Sequence, residues 1–280
     1  MKKSILVKSV VIVCVLGTSI WFFLAPENSS NSTPKENDIT NVLQPITVEK
    51  PISVEAFNLP VETGNQIIIR PFYTLSYNET HEQADWVAYT IYPFPDSIRV
   101  KRKDAFREDP IVDSGSATLK DYKNSGYDRG HLAPAKVMSY SKESMSASFF
   151  MSNMSPQVGA GFNRGIWRFL EAQVYDWSKE SDSLYVVTGP VFDKPLGSIG
   201  VNNVTVPSHY YKTIIRFKND EITGIGFLLK NEKSKKSFLN YATSIDSIEK
   251  VTGIDFYHKM DALLQTKVEA NKNLNTFYKE

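Results

Sequence analysis

A 17-residue run of apolar side chains near the amino terminus sets a leader-like segment apart from the rest of the chain. The run covers residues 9–25 and follows three lysines. Positive charge before an apolar stretch is typical of an export signal or of a signal anchor. Bulky aromatic residues at positions 21–23 favour an uncleaved membrane anchor over a cleaved signal peptide. We therefore expect the remainder outside the cytoplasm, membrane-anchored in the first case and secreted or periplasmic in the second.

A polar stretch follows this segment. Residues 26–63 are rich in Asn, Ser, Thr, Pro and Glu, a composition that buries too little apolar surface to fold by itself. The sequence thus predicts a signal anchor or signal peptide at 1–25, a flexible linker at 26–63 and one folded domain at 64–280.

Short apolar stretches within the domain predict strands, and a 3.6-residue period predicts helices. Strands are expected at 67–69, 72–77, 86–92, 149–151 and 184–187, the last ending before a Gly-Pro pair. The stretches 210–217 and 222–229 flank a polar turn and predict a hairpin. Helices are expected at 162–177 and at 245–251. The pattern predicts an α+β fold built on a mixed, largely antiparallel sheet.

Composition narrows the possible functions. The 280 residues are 41% hydrophobic and 12% aromatic, enough for a sizeable core. The net charge of +1 excludes a globally basic, histone-like binder, so a polyanion would have to bind a local patch. A single cysteine, Cys14, excludes an internal disulfide and a cysteine zinc site, and the four histidines lack the His-x-x-x-His spacing of zinc proteases.

The first segment with candidate chemistry is Tyr-Asp-Arg-Gly-His-Leu-Ala-Pro at residues 127–134. A histidine that acts as a general base needs a fixed ring, a nearby water and an electrophile. Gly130 permits a tight backbone beside His131. Arg129 offers a planar cation suited to phosphate, and Asp128 could orient a ring or pair with that arginine. A lone histidine is more often structural, so the segment by itself is suggestive.

The second segment contains Asn153, Asn163 and Glu171. Amide and carboxylate oxygens are hard ligands suited to Mg²⁺, which retains most of its waters. In one continuous helix, the eight residues from Asn163 to Glu171 span about 12 Å. We therefore expect Asn163 to bind the ion directly and Glu171 to act through a bound water. Considered alone, Asn163 would be a helix cap and Glu171 a solvated side chain.

Arginines and lysines cluster at 99–107, where Arg99, Arg102 and Arg107 are candidates for a strip that binds the phosphate backbone. The alternative is an ordinary exposed loop. A second charge-rich stretch, at 230–236, is interpreted as a solvated loop.

At these motifs the sequence resembles the DNA/RNA non-specific endonucleases of the ββα-metal class, which include the endonuclease G type. The Asp-Arg-Gly-His string matches residues 128–131. An Asn-x-x-Pro-Gln turn matches 153–157, and a metal-binding Asn followed by Trp and Glu matches Asn163, Trp167 and Glu171. Weaker similarity continues across about residues 67–260.

The resemblance implies a ββα-metal active-site motif and a role for each matched position. His131 would be the general base, Arg129 would bind or stabilise the phosphate, Asn163 would bind Mg²⁺, and Glu171 would hold the water shell of the ion. Mn²⁺ or another divalent cation could take the place of Mg²⁺. Asp128 and Asn153 are counted with the substrate-binding residues.

Two positions depart from the family pattern. Lys136 stands where many members have a small residue, and Tyr175 stands where some have an arginine. The second departure leaves open which cation assists in phosphate binding.

The function predicted is metal-dependent hydrolysis of phosphodiester bonds in DNA and RNA without strong sequence specificity. A catalytically silent nucleic-acid-binding module of the same fold is the main alternative, and a metal-free, histidine-based ribonuclease is another. The expected partners are DNA and RNA, and a membrane if the amino-terminal anchor stays uncleaved. The sequence leaves the oligomeric state open.

Overall fold

The structure, a computed structural model, describes residues 59–278. The predicted signal segment and most of the predicted linker lie outside the described residues. Within residues 59–278, no helix is both long and apolar enough to cross a membrane. Residues 59–63, predicted as linker, instead pack on the domain. The amide of Val61 donates to the carbonyl of Asp255 over 2.9 Å, and the hydroxyl of Thr63 donates to Asp85.

Antiparallel pairing joins all the named strands. The strands are β1 (Gln66–Ile69), β2 (Thr74–Asn78), β3 (Gln83–Ile91), β4 (Tyr127–His131), β5 (Met154–Val158), β6 (Ser183–Val191), β7 (Gly197–Ile199), β8 (Val204–Val206), β9 (His209–Lys218), β10 (Glu221–Lys230) and β11 (Ala242–Thr243). Seven strands form one sheet in the order β1-β2-β3-β6-β9-β10-β11, while β4 pairs with β5 and β7 with β8. The α-helices are α1 (Leu119–Tyr122), α2 (Lys142–Ala147), α3 (Arg168–Lys179), α4 (Ile245–Thr252), α5 (Ala262–Glu269) and α6 (Asn275–Tyr278).

The large sheet is buried on both faces because alternate side chains enter two separate cores. Val87 and Tyr89 of β3 join Leu170 and Val174 of α3 in one core. Trp86 and Ala88 of the same strand join residues of α4 and α5 in the other. The sheet therefore lies between α3 on one side and the α4–α5 pair on the other.

The predicted α+β fold with a largely antiparallel sheet is confirmed, and so are several of its elements. The β9–β10 hairpin turns at Asn219 and Asp220, whose φ angles are 49° and 64°, values that Asn and Asp tolerate better than most residues. Helix α4 begins after Ser244, whose side chain accepts from the amide of Ser247, and ends at Gly253 with a φ of 72°. Both are typical capping residues, and they stand at the two ends of the predicted helix.

Two strand predictions were wrong. Residues 149–151 form no strand; Phe150 makes one isolated bridge with Arg107, and the next residues begin a 3₁₀ turn. Strand β6 does not stop at the Gly-Pro pair but continues to Val191. Gly189 fits there because a side chain would collide with the carbonyl of Asp85, 2.2 Å from the position a Cβ would take.

The predicted helix 162–177 is interrupted. Residues Gly159–Trp167 form an irregular wound segment with non-helical angles at Ala160, Gly161 and Gly165, and the regular helix α3 starts only at Arg168. The expected 12 Å separation between Asn163 and Glu171 therefore does not apply, because the two do not share one continuous helix. With β4 and β5, this segment and α3 form a strand–strand–helix unit.

Candidate active site

A cleft of about 600 Å³ lies beside the strand–strand–helix unit. It brings together six of the predicted site residues, which come from β4, the 159–167 segment, α3 and the loop before α1. The cleft is lined by Arg102, Asp104, Phe106, Tyr127, Asp128, Arg129, His131, Pro134, Ala135, Lys136, Asn163, Arg164, Arg168 and Glu171. Five of these side chains are cationic and three are carboxylates, so the cleft is more basic than the chain as a whole.

His131 is the last residue of β4, and its placement depends on the residue before it. A side chain at Gly130 would meet Gln157, whose side-chain atoms lie 2.1–2.5 Å from the position a Cβ would take. Gly130 pairs with Ser155 and Asp128 pairs with Gln157 in the β4–β5 register. The glycine of the Asp-Arg-Gly-His string thus lets β5 pack closely against the strand that carries the histidine.

Two phenylalanines support the basic groups of the cleft. The ring of His131 packs edge-on against Phe149 with centroids 4.9 Å apart, and lies 5.7 Å from Phe106. The Arg129 guanidinium lies 4.4 Å from the Phe106 centroid, and the Arg102 guanidinium lies 5.1 Å from that of Phe149. Cation–π contacts of this kind hold guanidinium groups in place without neutralising their charge.

This environment keeps the imidazole neutral. Burial, assisted by the positive charge of Arg102, lowers the pKa of His131 to about 3. The Nε2 atom is buried and has no hydrogen-bond partner among the described residues, although the residue as a whole is partly exposed. A neutral ring at neutral pH has a nitrogen free to accept a proton.

Asn163 is held by a carboxylate. Its Nδ2 donates to Oδ2 of Asp128 over 2.8 Å, and Nη1 of Arg164 donates to the same carboxylate over 2.5 Å. The Oδ1 atom of Asn163 accepts no hydrogen bond from residues 59–278 and is the oxygen available for a ligand in the cleft. Asp128, predicted to bind substrate, lines the cleft, where it holds the amide of Asn163 and pairs with Arg164.

Glu171 faces the cleft from the first turn of α3 and interacts electrostatically with a buried lysine. Lys212 on β9 is completely buried, with Nζ 3.3 Å from the Tyr89 hydroxyl and 4.9 Å from the Trp167 ring centroid. Burial raises the pKa of Glu171 and lowers that of Lys212, and each charge opposes the shift of the other. Buried charges of opposite sign stabilise each other's ionised form.

The oxygens present fit a hard divalent cation. Asn163 Oδ1 and the Glu171 carboxylate belong to the donor types that Mg²⁺ prefers, and both line the same cleft. The described residues also contain a separate acidic group, Asp246, Glu249 and Glu269, whose ligand atoms lie within 4.8 Å of one another. This second group is on α4 and α5 and does not line the cleft.

Three of the predicted substrate-binding residues are structural. Arg99 has a side chain only 7% exposed and bonds Asp96, Ser139 and a backbone carbonyl. Arg107 donates to the backbone at 105 and 146 and lies 3.8 Å from the Phe150 centroid. Neither arginine lines the cleft, because each guanidinium is used to tie the 99–107 loop to the domain. Only Arg102 of the predicted strip reaches the cleft.

Asn153 is the third correction. It is completely buried, its Oδ1 accepts from the amide of Ala133, and its Nδ2 donates to the carbonyls of Ala133 and Ser148. The side chain thus holds the loop that follows His131, and its complete burial keeps it out of reach of substrate.

The structure adds residues that the sequence analysis did not select. Arg164 and Arg168 line the cleft beside Asn163 and Glu171. Their spacing of four within the predicted helix was the available signal. Lys212 stands out as a charged residue between two buried apolar positions on the same face of β9, Tyr210 and Ile214.

The two departures from the family pattern lie next to each other. The Nζ atom of Lys136 is 4.8 Å from the Tyr175 ring centroid, and the Tyr175 hydroxyl donates to Asp96. Lys136 lines the cleft and its side chain is 61% exposed. A cation is therefore present at this edge of the cleft, carried by residue 136 and supported by the aromatic ring at 175.

Comparison with known proteins decides the family. The family model described as DNA/RNA non-specific endonuclease matches residues 51–263. The chain belongs to the DNA/RNA non-specific endonuclease family. Like other members of this family of divalent-metal-dependent nucleases, it acts on nucleic acids.

Individual relatives agree with this assignment. The non-specific endonuclease is 36% identical over 217 residues to Nuclease C1 of Cunninghamella echinulata var. echinulata, covering 71% of this chain and 85% of that protein. It is 31% identical over 218 residues to a nuclease of Nostoc sp., covering 74% and 78%. A solved structure titled as the EndoG/EndoGI complex, on the mechanism of EndoG inhibition, superposes with a TM-score of 0.70 at 28% identity, covering 77% of this chain and 94% of that one. The expected endonuclease G-like ββα-metal fold is thereby confirmed.

Proposed function

We propose that this endonuclease hydrolyses phosphodiester bonds of DNA and RNA with Mg²⁺ as its cation, with His131 as the general base. The observation that carries the proposal is that His131, Asn163 and Glu171 line one cleft. A histidine far from the hard oxygen ligands could not act on the same phosphorus atom. Backbone contacts carry no base information, so a cleft lined by arginine and lysine accounts for cleavage without strong sequence specificity.

The residues around the bound phosphate have separate tasks. His131 accepts the proton of the attacking water, and we place that water on the Nδ1 side of the ring because Nε2 is buried. General bases of this kind typically contribute about 10²–10⁴-fold to the rate. Arg129 has no ion-pair partner among the described residues, so its guanidinium is available to bind the phosphate oxygens.

Asn163 and Glu171 would hold the cation. Asp128 fixes the amide of Asn163 so that Oδ1 is the free end. The charge of Lys212 favours the ionised form of Glu171 against the effect of burial, and this carboxylate would hold the hydration shell of the ion. When bound, Mg²⁺ supplies Lewis-acid stabilisation of the charge that develops on the phosphorane and on the leaving oxygen. Mn²⁺ fits the same oxygen ligands.

Lys136 is the further cation that we assign to substrate binding. It lines the cleft, is well exposed, and makes only a long contact of 3.9 Å with Asp96. A lysine in this state keeps most of its charge available for a phosphate next to the scissile one.

Export is part of the proposal. The apolar run at residues 9–25 after three lysines supports a domain that works outside the cytoplasm, either anchored in the membrane or released after signal cleavage. Expression of the full chain with a carboxyl-terminal tag, followed by fractionation and protease accessibility, tests this placement. A tag found only in the soluble cytoplasmic fraction would contradict it.

The activity test uses the full chain with plasmid DNA and with unstructured RNA, each with Mg²⁺ and with a chelator. Cleavage of both polymers with Mg²⁺, and of neither with chelator, is the expected result. Cleavage of RNA alone that persists in chelator would favour the metal-free ribonuclease mechanism instead. The His131→Ala variant, purified and checked for folding by circular dichroism, separates this activity from that of a contaminating nuclease.

A further inference from the structure

An exposed phenylalanine follows Arg168, one of the residues that line the cleft. Phe169 is 56% exposed. Every other phenylalanine, tyrosine and tryptophan between residues 59 and 277 is buried or half-buried. A phenyl ring in water gives up the stabilisation that burial would provide. Single exposed apolar side chains are common on protein surfaces, so exposure alone does not indicate a binding site. The evidence for a site comes from the residues around this ring.

The neighbour of Phe169 is an unpaired cation of the cleft. The Arg168 guanidinium lies 5.3 Å from the Phe169 ring centroid and also lines the cleft. Among the described residues, Arg168 has no ion-pair partner, whereas Arg102 and Arg164 are paired with Asp104 and Asp128. An available guanidinium and an available aromatic face thus occur side by side on the first turn of α3.

Such a pair matches the two parts of one nucleotide. A guanidinium binds the phosphate, and an aromatic ring stacks on a base without regard to its identity because every base has a π-face. Glu171 lies on the same turn and faces the cleft, so a nucleotide bound to Arg168 would be close to the scissile phosphate. The contact tolerates any sequence, in keeping with a non-specific nuclease.

We propose that Phe169 and Arg168 form a stacking subsite for an unpaired nucleobase next to the scissile phosphate. This inference rests on the proposed function, since it takes the cleft as the place where the phosphate binds. A base inside a duplex has both faces covered by its neighbours and must leave the stack before it can contact a protein ring. The subsite therefore favours single-stranded DNA and RNA, and unpaired stretches within a duplex, over continuous duplex.

The test measures binding of full-length protein to labelled oligonucleotides by fluorescence anisotropy in Ca²⁺, in a His131→Ala background that prevents cleavage. Phe169→Ala is expected to raise the Kd for a single strand by at least about 5-fold, the lower end of the range for loss of one stacked base. The Kd for a blunt duplex of the same sequence should change by less than about 2-fold. Phe169→Trp should restore single-strand binding, because the larger ring stacks as well or better.

Two controls separate stacking from general damage. Leu263→Ala removes another exposed apolar side chain, 84% exposed on α5, and should leave both Kd values unchanged. A single strand made entirely of abasic nucleotides should bind the parent and Phe169→Ala proteins equally, because it offers no base to stack.

The outcomes distinguish this inference from the proposed function. Equal weakening on single strand and duplex, or no weakening on either, would overturn the stacking subsite while cleavage by the wild-type chain left the nuclease mechanism standing. If the wild-type chain cleaves neither DNA nor RNA with Mg²⁺, the proposed function fails and the subsite fails with it.

Discussion

Asn163 donates its side-chain amide to Asp128 over 2.8 Å, and this hydrogen bond joins the two motifs that the sequence places 35 residues apart. Asp128 belongs to the strand that carries His131, and Asn163 belongs to the segment before α3. The bond leaves Oδ1 of Asn163 as the free polar atom of the side chain. It also explains why the first residue of the Asp-Arg-Gly-His string is a carboxylate rather than any polar residue.

Asp128→Ala is expected to lower cleavage by about 10–100-fold, the usual effect of removing a group that orients a metal ligand. The amide of Asn163 would then be free to rotate, and Arg164 would lose its partner. Raising the Mg²⁺ concentration should recover part of the activity. The measurement is the Mg²⁺ dependence of plasmid cleavage, with Asp193→Ala, an exposed carboxylate outside the cleft, as the control. Equal Mg²⁺ dependence in Asp128→Ala and the control would show that Asp128 does not support the ligand.

Lys212 is expected to affect cation binding through its effect on the charge of Glu171. Lys212→Met keeps an unbranched side chain of similar length but removes the charge, so the pKa of Glu171 should rise further and its carboxylate should hold a cation less well. Isothermal titration with Mg²⁺ is expected to show weaker binding in Lys212→Met than in wild type. In a Glu171→Gln background the same change should have little further effect. Additive losses in the double variant would mean that Lys212 acts independently of Glu171.

Lys136 offers a test of phosphate binding. Lys136→Ala is expected to raise KM more than it lowers kcat, and to reduce the slope of log Kd against log salt by about one, because one phosphate contact is lost. Lys142→Ala, an exposed lysine on α2 that does not line the cleft, is the matched control. An unchanged salt slope in Lys136→Ala would remove this lysine from the substrate-binding surface.

The low pKa of His131 predicts how stability changes with pH. The folded-state value of about 3 lies below the value of about 6.5 expected in the unfolded chain. Between these values the unfolded state binds a proton that the folded state does not, so this residue lowers stability as the pH falls below 6.5. From pH 7 to pH 5, wild type should lose about 2 kcal/mol more than His131→Phe, which has no proton to bind. Urea unfolding of both proteins at the two pH values measures the difference, and parallel losses would indicate an ordinary pKa.

Much of the fold could be predicted from the sequence because the signals for its strands, turns and helix ends come from residues that are close together along the chain. The β9–β10 hairpin and the caps of α4 depend on alternation, turn residues and side chains within a few positions of each other. The convergence of His131, Asn163 and Glu171 could be anticipated only through the resemblance to a family, because no short-range pattern brings residues 131 and 163 together.

The errors have a common physical origin, namely partners that are distant in sequence. Arg99 and Arg107 look like a free basic strip, yet Ser139 and Ser146 of the chain some 40 residues later bind them. The helical period runs through Gly165 without a break, so the interruption there was invisible in the pattern. A similar reason applies to Asn153, whose amide bonds become evident only when the loop after His131 is in place.

The central claim is that the catalytic cation is held by Asn163 in the cleft that contains His131. The most direct measurement is a crystal structure of the full chain grown with Mn²⁺, in which anomalous scattering locates the ion. The account predicts an anomalous peak at Asn163 Oδ1, lost in Asn163→Ala crystals grown in the same way. A peak only at Asp246, Glu249 and Glu269, with none in the cleft of an active enzyme, would contradict it.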